Sequence, residues 1–144
     1  ATGSETANPI CADSSQAHFM TYLSQDVPAG IKQAFRVDQD QSHWTVAGLS
    51  DGGTCALQIV TNQPTAYGSI VDISGEAEPT IGSHQATVDK FFGGDEKAFN
   101  AQDPAHLLKQ NRYPGLSAVF IAGEDDHASV AALSSLSQQA RAAG

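Results

Sequence analysis

Between Gln16 and Phe35 the apolar residues Phe19, Met20, Leu23, Val27, Ile31, Ala34 and Phe35 recur at steps of three and four. That spacing stacks side chains on one face of a helix. Pro28 lies inside the run, which predicts a kink or two short helices. Val37 to His43 is polar and reads as a turn. Trp44 to Ala47 is a short β-prone run ending at Gly48. Gly52 to Asn62 returns to helical spacing, with Ala56, Leu57 and Val60 on one face and Pro64 just beyond. Ser69 to Ile73 and Ala118 to Ala122 read as two further strands. Shorter helical pieces are predicted at Ala86 to Phe92, Asp95 to Phe99 and Pro104 to Gln110. A last helix, Ser129 to Ala143, carries Val130, Leu133 and Leu136 on one face. Ala1 to Ser15 reads as loop.

Strands that alternate with helices predict an α/β fold, a parallel sheet between helical layers in a three-layer sandwich. Residues 1–144 read as a single domain. Three strands make a small sheet for such a fold, so the chain reads as part of a larger one.

Composition narrows the function classes. The chain is 40% hydrophobic and 16% charged, ordinary for a folded soluble domain. Seven basic residues against sixteen acidic ones give a net charge of −9. Such a surface repels phosphate backbones, so nucleic acid is not an expected partner. No apolar run reaches the length of a membrane span. Cys11 and Cys55 match no zinc spacing and read as two free thiols or one disulfide. No residue pattern calls for a metal or a cofactor.

The strongest chemical signal is Gly48-Leu49-Ser50-Asp51-Gly52, a G-x-S-x-G match with a predicted strand before it and a helix after it. In a nucleophile elbow the serine occupies a strained strand-to-helix turn that exposes its hydroxyl. The flanking positions must be small, because the backbone passes close to them. Ser50 is thus the candidate nucleophile. The acid of a triad would follow a later strand, and Gly123-Glu124-Asp125-Asp126 follows the third. Asp126 is the first choice and Asp125 the alternative. The competing reading of this loop is a carboxylate cap on the last helix. A base would follow a further strand. His18, His43, His84, His106 and His127 are therefore read as surface or packing residues, and the chain as an internal piece without its own base.

Four stretches carry a family resemblance: Thr21 to Ile31, Trp44 to Leu57, Asp72 to Gly82 and Arg112 to Asp126. Together they resemble the esterase family of α/β-hydrolases that includes esterase D and the mycobacterial mycolyltransferase antigens, most closely its actinobacterial branch. The resemblance implies a partial α/β-hydrolase fold, from the nucleophile strand onward, without the early strands or the last strand. It implies Ser50 as nucleophile, the Asp51 backbone N–H as one oxyanion donor and an acid between Glu124 and Asp126. The position after the serine is often Met in the family. A carboxylate at Asp51 would oppose a developing oxyanion unless turned away. The implied reaction is ester hydrolysis or acyl transfer through an acyl-enzyme, on a small-molecule or lipid acyl ester, with the isolated stretch inactive.

Members of this branch are often secreted or tethered to the membrane, which implies an extracytoplasmic location and any tether outside this segment. Disulfides persist there. Cys55 lies one turn into the elbow helix and Cys11 in the loop before the neighbouring helix, so a Cys11–Cys55 bond is expected. The edge of the nucleophile strand should be open, giving a route to self-association. Two other readings remain: a non-catalytic secreted binding module that keeps the elbow as scaffold, and an unrelated flavodoxin-like domain. The second would place Asp51 against a phosphate.

Overall fold

The computed structural model describes residues 8, 10–14 and 17–144. The other N-terminal positions of the predicted loop lie outside the described residues. The described ones there are irregular, with one isolated bridge between Asp13 and His18.

The first helical stretch is continuous: α1 (Phe19–Thr21), a π-helical turn (Tyr22–Asp26) and α2 (Val27–Ala34). Pro28 falls in the first turn of α2, straight after the wide π turn. Inside a continuous helix a proline has no N–H to give to the ladder, and here the predicted kink is replaced by a change of winding just before it. Next come β1 (Thr45–Leu49), α3 (Asp51–Asn62) and β2 (Ser69–Ile73). They are followed by α4 (His84–Phe92), α5 (Glu96–Asn100), α6 (Pro104–Gln110), β3 (Ser117–Ile121) and α7 (His127–Ala143). β1 runs two residues past Ala47, through Gly48, and delivers the chain directly into the turn at Ser50. α4, α5, α6 and α7 begin on side-chain caps from Ser83, Asp95, Asp103 and Asp126. Those oxygens take up N–H groups that the first turn leaves without partners.

The three strands form one parallel sheet in the order β1-β2-β3. The α/β class read from the sequence is therefore the observed one. The register is even, with Leu49 beside Ile73 and Ile73 beside Ile121. All three strands therefore finish at one level. Their alternation sorts the side chains. Val46, Ile70, Asp72 and Phe120 face the helices. Ile70 packs in the main core with Leu57, Val60, Leu108 and Leu133, drawn from α3, α6 and α7. On the other face Leu49, Val119 and Ile121 are exposed.

Candidate active site

The site is built on the turn between β1 and α3. Ser50 has φ 56° and ψ −124°, a conformation that an L-residue reaches only under strain. Three backbone bonds hold it there. Its N–H donates to the Ile73 carbonyl at 2.8 Å, and its own carbonyl accepts from Gly53 N–H at 2.8 Å and Thr54 N–H at 3.1 Å. A Cβ on Gly48 would collide with the Gly52 backbone, which is why the elbow needs glycine there. The turn that G-x-S-x-G predicts is thus present with its strained serine, and Ser50 is exposed at the carboxyl end of β1. The Asp51 N–H opens α3, where no earlier helical carbonyl can accept it. Asp51's carboxylate lies close enough to Glu76 to help raise the pKa of Glu76, after burial.

The acidic loop lies at the same end of the sheet. Gly123 closes a turn by accepting the Asp126 N–H at 3.0 Å, and Asp126 then caps α7, accepting the Ser129 N–H at 3.2 Å. The hydroxyls of Ser129 and Ser74 also face the Asp126 carboxylate. These bonds, those to Ser129 first, hold its pKa below the usual carboxylate value. The cap weighed from the sequence is the observed role of Asp126, and its loop follows the end of β3, level with the end of β1. Adjacent strands lie about 4.8 Å apart, so the ends of β1 and β3 are separated by roughly 10 Å.

Ser74 occupies the space between them, a residue that the sequence reading passed over. It follows β2 directly and has φ 50°. Its N–H donates to the Ile121 carbonyl at 2.7 Å, and its carbonyl accepts from Ser129 Oγ at 3.3 Å. The end of β2 is thus bonded to the elbow on one side and to the acidic loop on the other. No sequence pattern marks a serine for that job. Asp72 was also passed over, though a signal existed: an Asp inside Ser69 to Ile73, on the same side of the strand as Ile70.

Three of the histidines have partners away from the elbow. His43 Nδ1 lies 2.7 Å from Asp38, and His106 Nε2 lies 2.8 Å from Gln110 Nε2. His84 sits between Glu78, at 3.1 Å, and Glu96, at 3.0 Å, and both carboxylates raise its pKa. Among the described residues no histidine hydrogen-bonds to Ser50. Cys11 and Cys55 form the disulfide, with Cα atoms 5.5 Å apart, and tie the N-terminal segment to α3. A cavity of about 480 Å³ opens beside the elbow, lined by Leu49, Asp51 and Gly52 and, deeper, by Leu23, Gln58 and Ile59.

The chain has three likenesses among known proteins. Residues 4–143 match the model of the family described as "Putative esterase". An uncharacterized protein of Corynebacterium glutamicum is 56% identical over 149 residues, covering 99% of this chain and 35% of its own length. The chain thus spans about a third of the curated relative that it matches. An S-formylglutathione hydrolase from Agrobacterium tumefaciens shares the fold, with a TM-score of 0.58 and 18% identity over 88% of this chain and 58% of its own. The chain belongs to the esterase family whose model spans it.

Proposed function

We propose that this member of the esterase family supplies the nucleophile and acid of a serine carboxylic-ester hydrolase or acyltransferase. Ser50 attacks the ester carbonyl, and the acyl-enzyme passes to water or to an alcohol. The backbone conformation of Ser50 carries the reading. A non-glycine residue held at φ 56° and ψ −124° in a strand-to-helix turn, with its hydroxyl exposed, is the kind of strain that functional sites store. The Asp51 N–H, at the positive end of α3, would meet the developing oxyanion. Asp126, ionised and held by serine bonds, would orient and charge-balance a histidine between the two strand ends. His18, His43, His84, His106 and His127 do not serve as that base, so by itself this stretch leaves Ser50 an ordinary alcohol and hydrolyses nothing.

The substrate is a small-molecule or lipid acyl ester, handled outside the cytoplasm, where the Cys11–Cys55 bond persists. The test is fluorophosphonate labelling and p-nitrophenyl acetate hydrolysis by the full-length protein. Wild type should label at Ser50 and turn over. Ser50→Ala should lose the label and at least about 10³-fold in kcat. Labelling that survives Ser50→Ala, or a wild type that never labels, would favour the non-catalytic binding module.

A further inference from the structure

We propose that Asp72 is a positioning residue for the nucleophile elbow, its carboxyl acting as a strut between the turn at Gly75 and the first turn of α3. The inference rests on the Ser50 reading and adds to it the group that sets where Ser50 and the Asp51 N–H stand.

Asp72 is the fourth residue of β2, beside Gly48 on one side and Phe120 on the other. It points to the helix-covered face and is completely buried. One oxygen, Oδ1, accepts the Gly75 N–H at 3.0 Å. A Cβ on either Gly53 or Gly75 would collide with that same oxygen, so the carboxyl fills a gap that two glycines leave for it. Gly53 belongs to the first turn of α3, and its N–H bonds back to the Ser50 carbonyl. The next residue, Thr54, accepts the Glu76 N–H at 2.8 Å, one residue beyond Gly75. The elbow helix and the β2 turn are thus locked at two adjacent points, one of which is Asp72.

The lock is costly. Oδ2 has no hydrogen-bond partner among the described residues. Burial pushes the pKa of Asp72 up to about 6, offset only in part by the Gly75 N–H. A buried carboxyl with an unpaired oxygen opposes folding. An apolar side chain would hold β2 in the core without that cost. What a carboxyl adds is a flat, short group that accepts from Gly75 while its edge bears on Gly53. Its benefit therefore falls on the placement of α3's first turn. Displacing reacting groups by about 1 Å costs orders of magnitude in rate.

The experiment uses the full-length protein with p-nitrophenyl acetate, counting competent sites by fluorophosphonate titration. Asp72→Ala should lower kcat per labelled Ser50 by about tenfold or more, with KM within about twofold. Asp72→Asn keeps the shape and the acceptor for Gly75, and should restore kcat per labelled site to within about threefold. Should Asp72→Ala fail to fold, Asp72→Ser carries the same test. A fall only in the fraction of protein that labels, with kcat per labelled site unchanged, would reduce Asp72 to a folding residue and overturn the proposal. An Asp72→Asn variant as slow as Asp72→Ala would also overturn it, by making charge and not shape the operative property. A wild type that never labels at Ser50 sinks the nucleophile reading itself, and this proposal with it.

Discussion

The elbow and the acidic loop stand at one end of one sheet, yet they are held by different physics. Ser50 is fixed by close packing of backbone. Gly48 lies against Gly52, and Gly53 lies against Asp72. Few substitutions are compatible with such a turn. The acidic loop is held by hydrogen bonds from Ser129 and Ser74 around a half-exposed carboxylate. Many sequences can build a capped helix start. The proposed nucleophile needs its hydroxyl lifted clear of the sheet at one angle, which steric exclusion supplies. The proposed acid needs only to stay charged and face a partner, which a cap arranges at little cost.

If that contrast is right, the elbow should fail abruptly when its packing is touched. Gly48→Ala is predicted to destabilise the fold by about 3 kcal/mol or more, because its Cβ meets backbone and not a flexible side chain. Urea unfolding of wild type and variant would measure it. A loss under about 1 kcal/mol would show that β1 and α3 can part, and that the elbow is not sterically fixed.

The same contrast explains what could be read beforehand. Steric exclusion writes itself into sequence, so Gly48, Ser50 and Gly52 were legible together with the strand and helix around them. The strands were legible as short β-prone runs, two of them ended by glycine. The cap at Asp126 was legible only as one of two adjacent carboxylates, since a cap and a catalytic acid are expected of the same residue type in the same place. Ser74 was not legible. Its role comes from lying between Ile121 and Ser129, which are 47 and 55 residues away along the chain. The winding at Tyr22–Asp26 was also hidden, because periodicity marks Pro28 but not how the preceding turn accommodates it.

Beneath the elbow the packing carries a charge, and that gives a second test. Asp72 has a folded pKa of about 6 against an ordinary value of 3.8. The folded state therefore holds its proton more tightly than the unfolded chain does. Stability from this group falls as pH rises from about 4 through 6, by up to about 3 kcal/mol. Asp72→Asn removes the ionisation but leaves an amide N–H without an acceptor. The variant should match or fall below wild type at pH 4 and exceed it by about 1–2 kcal/mol at pH 8. Thermal melts at the two values would check this. Equal stability differences at both would mean that the carboxyl is solvated in a way that its burial does not suggest.

The smallest expected change in stability belongs to the acidic loop, and there it separates the observed cap from the proposed catalytic role of one residue. Asp126 caps α7 through the Ser129 N–H, and Asn is as good a cap as Asp. Asp126→Asn should therefore alter stability by only a few tenths of a kcal/mol, while Asp126→Ala should cost about 1 kcal/mol. The carboxylate's pKa lies below the ordinary value, so the charged cap is in place at neutral pH and is lost only as pH falls through that lowered value. Catalysis should rank the variants differently. In the full-length protein Asn cannot balance an imidazolium, so Asp126→Asn should lose about 10³- to 10⁴-fold in kcat with its fold intact. Asp125→Asn should leave both stability and kcat nearly unchanged, since Asp125 is exposed on the same loop. The reverse pattern, with Asp125→Asn inactive and Asp126→Asn active, would make Asp126 a cap alone and move the acid one residue back. Asparagine is the deciding substitution because it preserves the bond to Ser129 and removes only the charge.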